Sequence, residues 1–291
     1  MSDTDATGDA AGATDQAIET KVDAAETAAL DLANVDDEDR QAALHAIADA
    51  IDNNREAIQE ANAADVEAAE EMLEAGEYSQ ALVDRLKLSE AKLDSIVEMV
   101  RSVAGQDDPL GETLVARELD ADLELYKLAV HIGVVGTVFE SRPDALVQIA
   151  ALALKSGNSV MLKGGSEASE SNRVLFELIR EATADHDAIS EGWAQLVEAR
   201  ADVTAMLDMD DEIDLLMPRG SSEFVQYVQD NTSIPVLGHT EGVCHVFVDR
   251  EADLDMATEV AFDAKVQYPA VCNAVETLLV HEAVADEFLP Q

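Results

Sequence analysis

Residues 129–139 read AVHIGVVGTVF, with no acidic side chain in a chain that is otherwise crowded with them. An uncharged, Val-rich run suits a strand buried on both faces, and such strands belong to parallel sheets covered by helices. The residues that follow keep this rhythm. Pro143 and Asp144 open a helix reaching Ser156, Gly157-Asn158 supply a left-handed turn, and residues 159–163 form the next strand. The unit recurs: helix 170–184 into strand 194–198, helix 202–208 into strand 213–217, helix 221–230 into strand 234–237. Strands and helices alternating through short connections imply a doubly wound α/β sheet. Beyond residue 243 the pattern gives strand 244–248, helix 254–267, a loop holding Pro269, strand 277–280 and the start of another helix.

Upstream of the buried run the periods differ. Residues 1–16 are small, polar and acidic and are expected to be a disordered tail. From 18 to 73 the spacing of Leu30, Leu44, Ile47, Ile51 and Ile58 is helical, and Gly76 ends that run. A further helix is expected over 89–104, with Ser89 as its cap and Gly105 as its stop. Near 117 the period becomes two, with Leu119, Ala121, Leu123 and Leu125 alternating with acids, which predicts a strand with one wet face.

Charge narrows the function. The chain has 291 residues, 62 acidic against 18 basic, for a formal net charge of −44. No positive field is available to attract phosphates of nucleic acid or an anionic membrane surface. So many acids on an Ala- and Val-rich chain suit a cytosol at molar salt, where self-repulsion is screened; an ordinary acidic protein is the alternative. Two cysteines, Cys244 and Cys272, make no disulfide framework, and neither a leader nor a long apolar run is seen, so the expectation is a reduced, cytoplasmic protein.

The acidity is uneven. Residues 132–173 hold Glu140, Asp144, Glu167 and Glu170 against Arg142, Lys155, Lys163 and Arg173, a net of zero. Arg142 follows the buried strand, and Lys163 ends the next strand before Gly164-Gly165-Ser166. Ligands of open α/β sheets bind beyond the carboxyl ends of strands, so both cations stand where an anion would bind. The competing reading is that these charges pair or snorkel within a buried segment. Pro218-Arg219-Gly220-Ser221 repeats the strand–turn–helix design, with backbone N–H groups that could hold a phosphate. No G-x-G-x-x-G and no G-x-x-x-x-G-K-[ST] occurs. Cys272 sits in the loop after Pro269, where a thiolate could face a cleft with a backbone N–H nearby; a buried structural cysteine is the alternative. His239, Cys244, His245 and Cys272 match no common zinc spacing, and no metal is expected.

Taken together, the pieces resemble the gamma-glutamyl phosphate reductases of the aldehyde dehydrogenase superfamily. The stretches that carry the likeness are 132–143, 155–165, 213–220, 242–249 and, most specific, 269–281 (PAVCNAVETLLVH). The resemblance implies a doubly wound Rossmann-like NADP-binding domain with N-terminal helices over 17–242, from which a strand segment at 118–131 extends. The start of an α/β catalytic domain then occupies 243–291. Family members continue well past this point, so the resemblance also implies that the catalytic domain is incomplete at Gln291 and the chain a C-terminally truncated form.

The resemblance further implies roles. Cys272 corresponds to the catalytic thiol. Arg142 falls where ordinary aldehyde dehydrogenases hold the oxyanion with asparagine, and with Asn273 it would serve the oxyanion and substrate phosphate. Lys163, Gly164, Gly165, Ser166, Gly220 and Ser221 would line the cofactor site. The implied reaction reduces L-glutamyl 5-phosphate with NADPH to glutamate 5-semialdehyde and phosphate, in proline biosynthesis. It implies functional coupling to glutamate 5-kinase and homo-oligomers in complete members. No water needs activation, and Gly238 stands near the position of the superfamily's general-base glutamate. Ser221 replaces a usual glycine, Tyr268 a common arginine, and Asp144 a frequent asparagine. A non-catalytic fragment and an ordinary aldehyde dehydrogenase are the alternatives.

Overall fold

The computed structural model describes residues 6–220, 222–238, 242–269 and 273–291. The chain divides into two compact units, Met1–Gly238 and His239–Gln291.

The first unit opens with helices. α1 (Ala6–Leu32), α2 (Asp37–Asn53), α3 (Arg55–Glu74), α4 (Gln80–Leu86) and α5 (Glu90–Ala104) precede the sheet. The helical spacing expected over 18–73 is thus three helices, broken at 33–36 and at Asn54. α1 starts at Ala6, within the 1–16 stretch expected to be a disordered tail; an Ala-rich segment joined to a helix costs little to continue it. Ser89 caps α5 by accepting from the Lys92 N–H, and Gly105 closes it, as the sequence predicts.

The alternating segment near 117 is corrected from one half-buried strand to a hairpin. β1 (Thr113–Asp120) and β2 (Leu123–Leu128) pair antiparallel, and every residue in both is exposed. Asp122 takes a positive φ of 61° at its turn.

The sheet of the first unit is four-stranded and parallel. β3 (Val134–Val138), β4 (Ser159–Lys163), β5 (Ala194–Leu196) and β6 (Leu215–Pro218) lie in the order β5-β4-β3-β6. Between them run α6 (Pro143–Lys155), α7 (Ser169–Ala184) and α8 (Arg200–Met206), and α9 (Ser222–Asp230) follows β6. The doubly wound expectation holds. Strand 234–237 is corrected to a single bridge, Val236 to Leu216, because Pro235 has no N–H to extend the ladder.

β4 shows why the middle of its sequence, Val160-Met161-Leu162, is apolar on both faces. Val160 and Leu162 enter one core with Leu146, Leu154, Leu175 and Ile96, while Met161 enters the other with Ile18, Val22, Val134 and Ile213. A strand between two helical layers has no wet face. The N-terminal helices supply part of both layers and also satisfy polar groups. Asp65 of α3 accepts from the Glu170 and Ser171 N–H groups, capping α7 at 3.1 and 2.8 Å.

The second unit holds β7 (Cys244–Val248), α10 (Leu254–Val266), β8 (Val275–Val280) and α11 (Glu282–Phe288). β7 and β8 pair in parallel, and Val248, Ala257 and Phe288 form a small core. Among the described residues, no helix is long and apolar enough to cross a membrane.

Candidate functional site

The register of the first sheet decides which loops meet. Val138, the last residue of β3, lies opposite Lys163 of β4 and Pro218 of β6. The turns after these strands therefore open at one end of the sheet, on both sides of its central strand. They are tied together by the Phe139 N–H to the Lys163 carbonyl, 2.9 Å, and the Arg219 N–H to the Val138 carbonyl, 2.6 Å. Strands β4 and β5 lie to one side of β3 and β6 to the other, which is the switch point where open α/β sheets bind ligands.

A groove of about 750 Å³ lies there. Lys163, Gly164, Gly165 and Ser166 line it on one side, with Phe139, Glu140 and Ser141 from the β3 turn and Phe224 and Tyr227 from α9. The turns are small for a reason that the geometry gives. A Cβ on Gly164 would overlap the Asn172 amide, and one on Gly220 would come within 3.0 Å of the Glu140 carboxylate.

Lys163 is half-buried. Its only hydrogen bond among the described residues goes to the Gly164 carbonyl. Burial pulls the ammonium below its ordinary range, and attraction from Glu167, Asp202 and Glu198 offsets part of this. Lys163 is therefore a cation not committed to a carboxylate partner. Arg173 and Lys155 fit the pairing reading instead: Arg173 bonds Glu170 and Glu198, and the buried Lys155 bonds Asp37 at 2.7 Å.

Glu167 and Glu140 also line the groove, and sequence reasoning gave neither a role. Glu167 Oε1 accepts from both the N–H and the hydroxyl of Ser141, at 2.6 and 2.9 Å. Ser141 has a φ of 48°, a strained conformation for a residue with a side chain. Two charge-assisted bonds thus lock the turn that delivers Arg142. Burial, then repulsion from Glu167, pushes the Glu140 carboxyl above its usual value.

Arg142 is the N-cap residue of α6, with Pro143 fixing the first turn. Half of its side chain is exposed, and Nη2 reaches Asp144 Oδ2 at 3.0 Å. Asp144 is buried, 1% exposed, and burial alone would raise its carboxyl. The bonds and charges of Arg142 and Lys92 outweigh burial and hold it below the ordinary carboxylate range.

Of the residues predicted from sequence, the fold brings Lys163, Gly164, Gly165 and Ser166 to the groove; Gly220 lies against Glu140, another groove residue. Arg142 stands at the adjoining helix start. Asn273 is exposed in the second unit, in the turn before β8. Ser221 and Cys272 lie outside the described residues.

The model of the aldehyde dehydrogenase family matches residues 2–291. The chain is 76% identical over 275 residues to gamma-glutamyl phosphate reductase of Natronomonas pharaonis, an alignment covering 94% of this chain and 62% of that protein. It is 70% identical to the corresponding protein of Haloquadratum walsbyi, covering 95% and 60%. The chain thus spans about three fifths of the length of the curated relatives it matches. Among solved structures, gamma-glutamyl phosphate reductase of Thermotoga maritima superposes with a TM-score of 0.86 at 38% identity, covering 94% of this chain and 65% of that one. The Saccharomyces cerevisiae structure of the same name gives 0.71 at 36%, covering 94% and 68%. The strand order, the small-residue turns and these likenesses agree: the chain belongs to the aldehyde dehydrogenase family, on its gamma-glutamyl phosphate reductase branch.

Proposed function

We propose that this chain carries the cofactor site and the nucleophile for NADPH-dependent reduction of L-glutamyl 5-phosphate to L-glutamate 5-semialdehyde and phosphate. The observation that carries the reading is Arg142. In a chain of net charge −44, a half-exposed guanidinium stands at a helix start beside the groove, held on a buried carboxylate. A guanidinium fork suits phosphate oxygens, and a phosphate is what distinguishes this substrate from a simple aldehyde.

The groove fits a dinucleotide. Lys163 would bind the ribose, and Gly164, Gly165 and Ser166 would let the backbone approach it closely. Gly220 and Ser221 would face the pyrophosphate, with the α9 N-terminus behind them. When bound, the nicotinamide supplies a hydride. The chain's own residues do the rest. The Cys272 thiolate attacks the acyl carbon, the carbon–oxygen bond to phosphate breaks, and Arg142 holds the departing phosphate. The Cys272 N–H and Asn273 would steady the oxygen of the resulting thioester. After reduction the carbon–sulfur bond breaks and the aldehyde leaves, so no general base is needed to activate water.

The reading includes its setting. An acyl phosphate hydrolyses readily, so coupling to glutamate 5-kinase would supply it. The apolar side chains exposed on the β1–β2 hairpin, including Leu119, Leu123, Leu125 and Tyr126, suit a homo-oligomer contact. The acidic surface and the haloarchaeal relatives suit a cytoplasm at molar salt.

The test is the reverse reaction in molar KCl: NADP reduction with glutamate semialdehyde, with and without inorganic phosphate. A rate that requires phosphate is expected. Phosphate-independent oxidation of simple aldehydes would replace the reading with that of an ordinary aldehyde dehydrogenase. Lys163 gives a second expected result. Lys163→Ala should weaken NADP binding at least about tenfold, the order expected for losing a charge-assisted bond to the cofactor. In the parent protein, NADP affinity should fall as pH rises through a value below lysine's ordinary range, because the deprotonated amine no longer attracts the cofactor. Fluorescence titration of NADP against pH measures both.

A further inference from the structure

Arg142 does not stand alone. Lys92, carried by α5 and distant from Arg142 in sequence, places its Nζ 2.8 Å from Asp144 Oδ2, the same atom that holds Arg142 at 3.0 Å. We propose that Lys92 and Arg142 form a two-cation anion subsite on the buried Asp144, and that it takes the phosphoryl group of the substrate. The inference rests on the proposed reaction for the identity of the anion, and adds the residue that would complete its binding.

Three features of the cluster point to a ligand. Asp144 is 1% exposed, whereas the Lys92 and Arg142 side chains are 37% and 51% exposed, so the acid is structural and the cations face solvent. Among the described residues neither cation has another acidic partner within 4.0 Å, so two positive charges share one negative charge. The second oxygen, Asp144 Oδ1, is buried and makes no hydrogen bond among the described residues. Here a single oxygen gathers both nitrogens and leaves a net positive charge at the N-terminus of α6, whose dipole adds to it. A dianionic phosphoryl group offers several oxygens to a guanidinium and an ammonium together; a neutral carbonyl offers one.

The sequence placed Arg142 at a strand end but gave Lys92 no role, since it lies on a helix of the N-terminal layer. Asp144 is a positioning residue here: it touches no substrate in this scheme and fixes the two cations that do.

Inorganic phosphate is the probe, titrated calorimetrically in molar KCl against the parent chain, Lys92→Gln, Lys92→Arg and the surface control Lys87→Gln. Lys92→Gln should weaken phosphate binding at least about tenfold, the order expected for losing one of two charge-assisted contacts, with Lys92→Arg recovering most of it. Lys87→Gln should leave it unchanged. Parent protein that binds no phosphate, or a Lys92→Gln affinity within twofold of parent, would overturn the subsite. A second measurement needs no variant: phosphate should slow acylation of Lys92 but not Lys87 by an amine reagent, mapped by mass spectrometry. Equal reactivity with and without phosphate would also overturn it. The two readings separate cleanly. Lys92-dependent phosphate binding without phosphate-dependent turnover in the parent would strike the reaction and leave the subsite; phosphate-dependent turnover with binding indifferent to Lys92 would do the reverse.

Discussion

Gly133→Ala should lower the stability of the first unit by at least about 2 kcal/mol, from two separate costs. Gly133 precedes β3 with a φ of +128°, a region that residues with a side chain avoid. Holding alanine there costs roughly 1–3 kcal/mol. The added Cβ would also overlap the Asp214 carboxylate. That carboxylate accepts the Val134 N–H at 2.8 Å, and displacing it leaves a buried donor unpaired, for about 1–3 kcal/mol more. The strain cannot be shed by shifting the backbone. The Gly133 N–H donates to Asn158 Oδ1 at 3.0 Å and its carbonyl accepts from Ser159 at 3.0 Å, so the residue is held from both sides. The measurement is thermal unfolding in molar KCl, where the melting temperature should fall by about 4 °C or more. A variant within about 1 °C of the parent would show that the β3 entrance relaxes freely, contrary to this account. Asp214→Ala should reproduce only the hydrogen-bond part of the loss.

The same residue illustrates what the sequence could reveal. An uncharged run with two glycines announced a buried central strand, and β3 is that strand. The bounds of β4 were legible at both ends, because the apolar Val160, Met161 and Leu162 stand between the Gly157 turn and the Gly164-Gly165 turn. The hairpin was not legible. Its two-residue turn pairs Asp120 with Leu123, and the register irregularity between Glu118 and Asp120 brings the period of two back into phase across the reversal; no glycine marks the spot, because Asp122 tolerates the left-handed conformation. Strand 234–237 looked complete because its composition is apolar, but hydrogen bonding limits a strand that contains proline.

In the candidate site the split follows the same logic. Lys163, Gly164, Arg142 and Gly220 were legible because topology alone puts strand ends at ligand sites. Lys92 and Glu167 were not, because their roles arise from packing. Lys92 reaches Asp144 from α5, and Glu167 reaches back to the Ser141 turn from the short 3₁₀ turn before α7. The one weak signal was scarcity. In so acidic a chain each lysine invites a question, and Lys92 answers it only when α5 and α6 are seen packed together.

Cys272→Ser should reduce phosphate-dependent turnover by at least about a thousandfold, the scale on which removing an enzyme's nucleophile is felt. A thiol is far more acidic than a hydroxyl and supplies thiolate much more readily, whereas a serine hydroxyl supplies almost no alkoxide unless a base activates it. The proposed reaction provides no such base, since its leaving group is phosphate and no water is to be activated. The thioester is also the more easily reduced acyl intermediate, so serine would slow the second half of the reaction as well as the first. Binding should be spared. If Arg142, Lys92 and the groove residues hold the phosphate and the dinucleotide, the Cys272→Ser protein should bind inorganic phosphate and NADP within about twofold of the parent. That combination, turnover lost and both ligands retained, separates a nucleophile from a cysteine whose removal loosens the fold, because a loosened fold would weaken binding too. Turnover within about tenfold of the parent would rule out covalent catalysis by this thiol.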